Sequence, residues 1–332
     1  MSPLTLFRLL HRAVPTVLVA VFCTNGLIND ANAAPCPAEK FDEFTKSFIQ
    51  NTETRQTHIK QPLTLQRVVV NGDQVSVTSR KTKDSTREVE KVFALQKSNE
   101  LNVEVNFPDR LTLRDDKGES LIILLFEQEN CWELEKIEDW SLGQHLPPGN
   151  TNDPAAVAVK RGNLYDRLAV ETPSNSRVAL YASALDSYLY GASLGSAKAA
   201  YLAAGISLSG QAPRLPNSLI QSLLETASRS EPEAGLTLAS FYCDEGEPSD
   251  DHPCGNPEKS LKALQYSARL GSSAALVELG SAYAAGEITE RDALRALACF
   301  QQAKAKGVHG LQPSIEALRT AGAEPSNTVD CL

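Results

Sequence analysis

"RLGSSAALVELGSAYAAG", Arg269–Gly286, and "SLGSAKAAYLAAGISLSG", Ser193–Gly210, carry one pattern at a constant offset of 76 residues. Between them, "EAGLTLASFYCDEG", Glu233–Gly246, writes the same helix again. Each unit continues into a second helix, "PEKSLKALQYSARLG" at Pro257–Gly271 and "ERDALRALACFQQAKAKG" at Glu290–Gly307. Gly271 and Gly307, each closing a second helix, lie 36 residues apart, whereas Tyr242 and Tyr283 lie 41 apart, because the earlier unit carries an inserted loop. A helix-turn-helix unit of this length signals a solenoid. Ala and Gly at facing positions let the helices of a hairpin approach closely, and Leu, Tyr and Phe fill the space between hairpins. Stacked hairpins leave an extended concave face that suits a protein or peptide, with no closed cavity to keep water from a reacting bond.

These residues resemble the Sel1-like repeat family. The fullest unit holds Ala275, Leu279-Gly280, Tyr283 and Gly286, then Ala293, Ala296, Phe300, Ala303 and Gly307. The unit before it keeps Leu238, Ala239, Tyr242, Gly246, Ala263, Ala268 and Gly271, and an earlier one has Ser207 in place of the expected Tyr. A tetratricopeptide array is the neighbouring alternative, but its period is fixed and leaves no room for the inserted loop. The reading predicts helical hairpins from about Pro154 to Leu318, with Gln312–Ala321 as a capping helix.

Upstream, "SLGQHLPPGNTND", Ser141–Asp153, has two prolines, two glycines and no apolar periodicity, so it reads as a linker. Before it lies one clear helix, about Ala38 to Thr54, with Phe41, Phe44 and Phe48 on one face. Runs with strand character follow: "LTLQRVVV" and "QVSVTSR" around the turn "NGD", then "LNVEVNF", "LTLRDD", "SLIILLFEQE" and "CWELEKIEDW". This predicts an α+β domain with the helix packed on a curved antiparallel sheet. Phe41/Phe44, Pro62-Leu63, and Cys131-Trp132-Glu133-Leu134 with Ile137 and Asp139 are similar to the pattern of small secreted bacterial NTF2-like domains. The expected organisation is a signal peptide at 1–33, an NTF2-like domain at 34–143, a linker at 144–153, an all-α solenoid of Sel1-like hairpins at 154–321 and a tail at 322–332.

The signal peptide rests on Arg8 and Arg12, the short apolar run Ala13–Cys23, and Ala31-Asn32-Ala33 as a small-x-small cleavage site. The run is too short to span a bilayer, and Phe22 disfavours a lipoprotein anchored at Cys23. A periplasmic location follows, without membrane insertion. The chain carries 32 basic and 41 acidic residues, and an acidic surface of this kind argues against nucleic acid and for a basic protein partner. Cleavage leaves six cysteines. Keeping each bond within one structural unit pairs them as Cys36–Cys131, Cys243–Cys254 and Cys299–Cys331.

Chemistry is sparse. "GASLG", Gly191–Gly195, matches a G-x-S-x-G nucleophile pattern, but it closes one repeat helix and opens the next, without the strand-turn-helix context that would make Ser193 a nucleophile. His58, His145, His252 and His309 show no metal-ligand spacing with carboxylates, and no cofactor is called for. Cys243, His252 and Cys254 form a conceivable metal set, but in an oxidising compartment two local cysteines are better read as a disulfide. That bond would staple a loop carrying Asp244, Glu245, Glu247, Asp250 and Asp251, a rigid acidic protrusion suited to a partner's basic cleft. The expected function is non-catalytic protein binding in the periplasm. Secreted Sel1-like proteins resemble the immunity partners of phospholipase effectors of type VI secretion systems, which implies inhibition of a phospholipase toxin. The alternatives are an envelope scaffold or regulator that binds a sensor or cell-wall enzyme, and an enzyme or small-ligand binder using an NTF2-like pocket.

Overall fold

A computed structural model describes residues 36–71, 74–146, 153–172, 176–245, 254–324 and 328–332, and residues 36–332 form one compact unit. Two short helices open it, α1 (Phe41–Gln50) and α2 (Thr52–Thr57). The single helix read from Ala38 to Thr54 breaks at Asn51. That residue is extended, and its side chain accepts from Glu53 N at 2.8 Å, so it starts a new helix instead of continuing the old one. The strands β1 (Ile59–Asn71) and β2 (Gln74–Thr82) precede α3 (Ser85–Ser98), and β3 (Asn102–Asn106), β4 (Arg110–Arg114), β5 (Leu121–Gln128) and β6 (Trp132–Asp139) follow it.

Two expectations are corrected here. The segment before residue 141 holds a further long helix, α3, which seats Val89, Val92 and Phe93 on the sheet while most of its other positions are charged or polar. The sheet is mixed, in the order β2-β1-β6-β5-β4-β3, because β6 runs parallel to β1. The reason is the crossover: α3 carries the chain from the β1–β2 hairpin to the far edge of the sheet, and three antiparallel turns then bring β6 back against β1. Register shifts beside Ile59/Thr64 and Leu125/Phe126 mark irregularities of the kind that bend a sheet.

Both faces of the sheet are covered. Leu63, Leu65, Leu111, Leu113, Ile122, Leu124 and Phe126 pack with Phe41, Phe44 and Phe48 of α1 and with α3. On the opposite face, Val68, Leu121, Ile123, Trp140 and Leu142 share a core with α4 (Pro154–Glu171) and α5 (Arg177–Ser193). The unbroken run Leu121–Leu124 is therefore buried on both sides, as a strand with helices on each face must be.

Polar anchors fix this contact. Arg161, almost wholly buried on α4, donates to Lys117 O at 2.7 Å and to Ser187 Oγ at 3.3 Å. Gly118, with φ +66°, presses the β4–β5 turn so close to α5 that a Cβ there would meet Ser183 O at 2.6 Å. Glu138, also buried, accepts from Trp140 Nε1 at 2.9 Å, from Lys136 Nζ at 2.7 Å and from the Ser176 hydroxyl ahead of α5. Arg114 of β4 is ion-paired with Asp186 of α5 and with Glu104 of β3.

The helical part continues as α6 (Ala197–Leu208), α7 (Asn217–Ala227), α8 (Pro232–Asp244), α9 (Pro257–Arg269), α10 (Ser273–Ala285), α11 (Ala293–Ala305) and α12 (Gln312–Thr320). Leu-Gly-Ser, at 194–196 and 270–272, works as a stop-start cassette. Gly195 (φ +91°) and Gly271 (φ +107°) take the left-handed conformation that ends a helix. Ser196 and Ser272 then cap the next helix, accepting from Ala199 N and Ala275 N, each at 3.2 Å. Within a hairpin the small residues permit close approach: Gly162 lies against the Tyr188 ring, and a Cβ on Gly280 would stand 2.7 Å from the Phe300 ring.

Candidate functional site

α8, α9 and α10 border a groove of about 340 Å³ on the helical array. Its floor is apolar and small-residue-rich, with Ala239, Leu264 and Ala282 buried and Leu236, Ala285 and Ile288 alongside. Three exposed carboxylates stand around it: Asp244 from the last turn of α8, Glu278 from α10, and Glu287 just after α10. None of the three forms an ion pair among the described residues. Cys243 lines the groove and is bonded to Cys254, with Cα atoms 4.0 Å apart. Gly255 N also donates to Cys243 O at 3.0 Å, so the two ends of the α8–α9 connection are tied twice.

Of the five acidic residues singled out on this connection, the structure describes two. Glu247, Asp250, Asp251 and the neighbouring His252 lie outside the described residues. Asp244 borders the groove. Glu245 is engaged within the chain: its carboxylate accepts from Arg214 Nη2 at 2.5 Å and from Asn217 Nδ2 at 2.6 Å. Glu278 and Glu287 were not singled out by sequence. The signal for Glu278 lay in the repeat, where its column holds Leu202 and Thr237 in the earlier units, a position that varies because the core does not constrain it.

The other cysteines among the described residues are also bonded. Cys36 and Cys131 (Cα atoms 5.4 Å apart) tie the chain ahead of α1 to the β5–β6 turn, where Trp132 Nε1 donates to Glu39 O at 2.9 Å. Cys299 and Cys331 (4.6 Å) hold the tail against α11, with both residues fully buried.

The sites considered for catalysis are put to other uses. Ser193 lies in the last turn of α5, and its hydroxyl donates to Tyr190 O at 2.7 Å. His58 is buried, its Nδ1 beside Thr57 Oγ1 (2.8 Å) and Thr54 O (3.1 Å) and its ring against Phe44. A cleft of about 500 Å³ at the end of the sheet is lined by Arg67, Glu119, Asp139 and His145. Asp139 is committed there to Ser141 N (3.2 Å) and Arg67 Nε (3.8 Å), and His145 is exposed. Tyr165 is buried in the core under the sheet and does not line that cleft. No group of three or more metal-ligating side chains occurs among the described residues, and no helix among them is long and apolar enough to cross a membrane.

No protein-family profile matches the chain, and no curated protein matches it. Among solved structures, the chain is similar to a Sel1 repeat protein from Oxalobacter formigenes, at 18% identity and a TM-score of 0.44, over 55% of this chain and 72% of that one. It is also similar to c5321, a protective antigen of uropathogenic Escherichia coli strains displaying an SLR fold, at 18% identity and a TM-score of 0.38, over 46% of this chain and 31% of that one.

Proposed function

We propose that the chain is a non-catalytic protein-binding module of the bacterial periplasm, built from an NTF2-like domain (34–143) and a Sel1-like solenoid (154–321). The observation that carries this reading is the groove: an apolar floor with three carboxylates around it, Asp244, Glu278 and Glu287, none of them ion-paired among the described residues. Apolar floor and charged rim are the two parts of a specific interface, one giving affinity and the other partner choice and association rate. The opening helices on a mixed sheet and the stop-start cassettes of the repeats support the two domain assignments. Three disulfides support an oxidising compartment.

The partner that fits is a protein with a basic cleft. Its sharper form is a phospholipase toxin delivered by a type VI secretion system, with this chain as the immunity protein that blocks it. An active site that binds phosphate is basic, and a carboxylate-rimmed surface competes for the same charges.

The test is a pull-down from periplasm with the processed chain, followed by calorimetry against the captured protein. The parent should bind, and Asp244→Asn/Glu278→Gln/Glu287→Gln should bind at least roughly tenfold more weakly at low salt. Equal affinity for the two would remove the groove as the site. Protection of cells that express the captured protein in the periplasm tests the immunity role separately.

A further inference from the structure

The sheet ends in two unlike edges. β2 is exposed almost throughout and carries Arg80 and Lys81, the charged side chains with which natural proteins keep an edge from pairing. β3, at the other end, reads Asn102-Val103-Glu104-Val105-Asn106, "NVEVN", a palindrome. It pairs with β4 along one side, and among the described residues none of its main-chain groups is hydrogen-bonded on the other. The apolar side chains beside that open edge are unusually bare, with Val105 37% and Phe107 71% exposed.

We propose that β3 is a homodimerisation edge, which pairs antiparallel with β3 of a second copy about a two-fold axis at Glu104. The palindrome selects this occupant. An isologous interface sets residue i of one copy opposite residue j of the other and j opposite i, and only a residue on the axis meets its own copy. Here Asn102 meets Asn106, Val103 meets Val105, and Glu104 meets itself. Asn and Val are thus matched in kind on both sides of the axis. The same operation on β2, centred on Thr78, would set Lys81 against Val75 and Arg80 against Ser76.

The like-charge contact at the axis is reduced within each copy. Glu104 accepts from its own Arg114, at 2.6 Å from Nη2 and 3.1 Å from Nε, so each carboxylate arrives with a guanidinium attached, one that it shares with Asp186. Val103 and Val105 lie in register with Leu113 and Leu111. Pairing therefore extends the apolar face that already packs on α1, and it brings Phe107, in edge contact with Phe41 at 6.4 Å, toward the second copy. This inference is independent of the acidic groove, which lies on α8 and α10.

The experiment is sedimentation of the processed chain from low to high micromolar concentration, paired with hydrogen exchange of the β3 amides over the same range. A monomer–dimer equilibrium is expected, with β3 amides that gain protection as the dimer forms. Val105→Lys, at an exposed position, should weaken the dimer at least roughly tenfold, since two cross-strand pairs are lost at once. Its circular dichroism spectrum should match that of the parent. A chain that stays monomeric, with β3 exchange independent of concentration, overturns the proposal and leaves the edge to a strand of a different protein. A dimer that Val105→Lys does not weaken, with β3 unprotected, overturns it as well.

Discussion

Asp186 shows how much one residue can be asked to do at the contact between sheet and helices. Burial pushes its carboxyl up to about 6, against the pull of Arg114 beside it. An unfolded aspartate titrates near 4. The folded state therefore holds the proton more tightly, and this residue's contribution to stability is fully present below about pH 4 and is lost as pH rises to about 6. Asp186→Asn should remove that part of the pH dependence, on the order of 2 kcal/mol in the difference between the two unfolding curves from pH 4 to pH 7. A difference that does not change with pH would show that Arg114 fully compensates the charge. Gly280 makes a steric demand instead. Gly280→Ala puts a methyl group where the Phe300 ring stands and should cost about 1–3 kcal/mol by denaturant unfolding.

Among the elements, the α8–α9 connection carries the clearest expectation. Cys243→Ser/Cys254→Ser removes a short closed loop and should lower stability by up to about 3 kcal/mol in a thermal melt. The same change should weaken partner binding less than neutralising Asp244, Glu278 and Glu287, because Gly255 N still holds Cys243 O and only ordering entropy is added. How legible each element was depended on its pattern. The repeat helices were plain because Ala and Gly recur wherever helices must touch, and the close approaches of Gly162 and Gly280 are that pattern in space. α3 was missed because "STREVEKVFALQKS" is polar or charged at most positions and buries only Val89, Val92 and Phe93 as its apolar contacts. The parallel β1–β6 pair could not be read locally, since its direction follows from a crossover of more than fifty residues, the order of magnitude at which periodicity carries no information. The groove was half legible. Asp244 stood in an obvious acidic run, whereas Glu278 and Glu287 reach it only through the packing of α10 on its neighbours.

At the scale of the whole molecule, the sheet and the first hairpin share one core. Cutting the chain after residue 146 would bare Val68, Leu121, Ile123, Trp140 and Leu142 at once. Residues 36–146 alone should therefore bind a hydrophobic dye and aggregate, and the complete chain should not. A truncated piece that stays unaggregated and dye-free would show that the sheet needs only α1 and α3. The clue was in Leu121–Leu124, whose apolar residues point to both faces and so require cover on both. The helical array is thus clamped at each end, by the sheet on α4 and α5 and by Cys299–Cys331 on α11. Its two cores meet within a single helix: Leu238 and Phe241 of α8 belong to one, and Ala239 to the other. The groove lies over the helix in which the two fillings meet. A partner seated there would act as a splint across that joint, slowing the breathing of helices it does not touch.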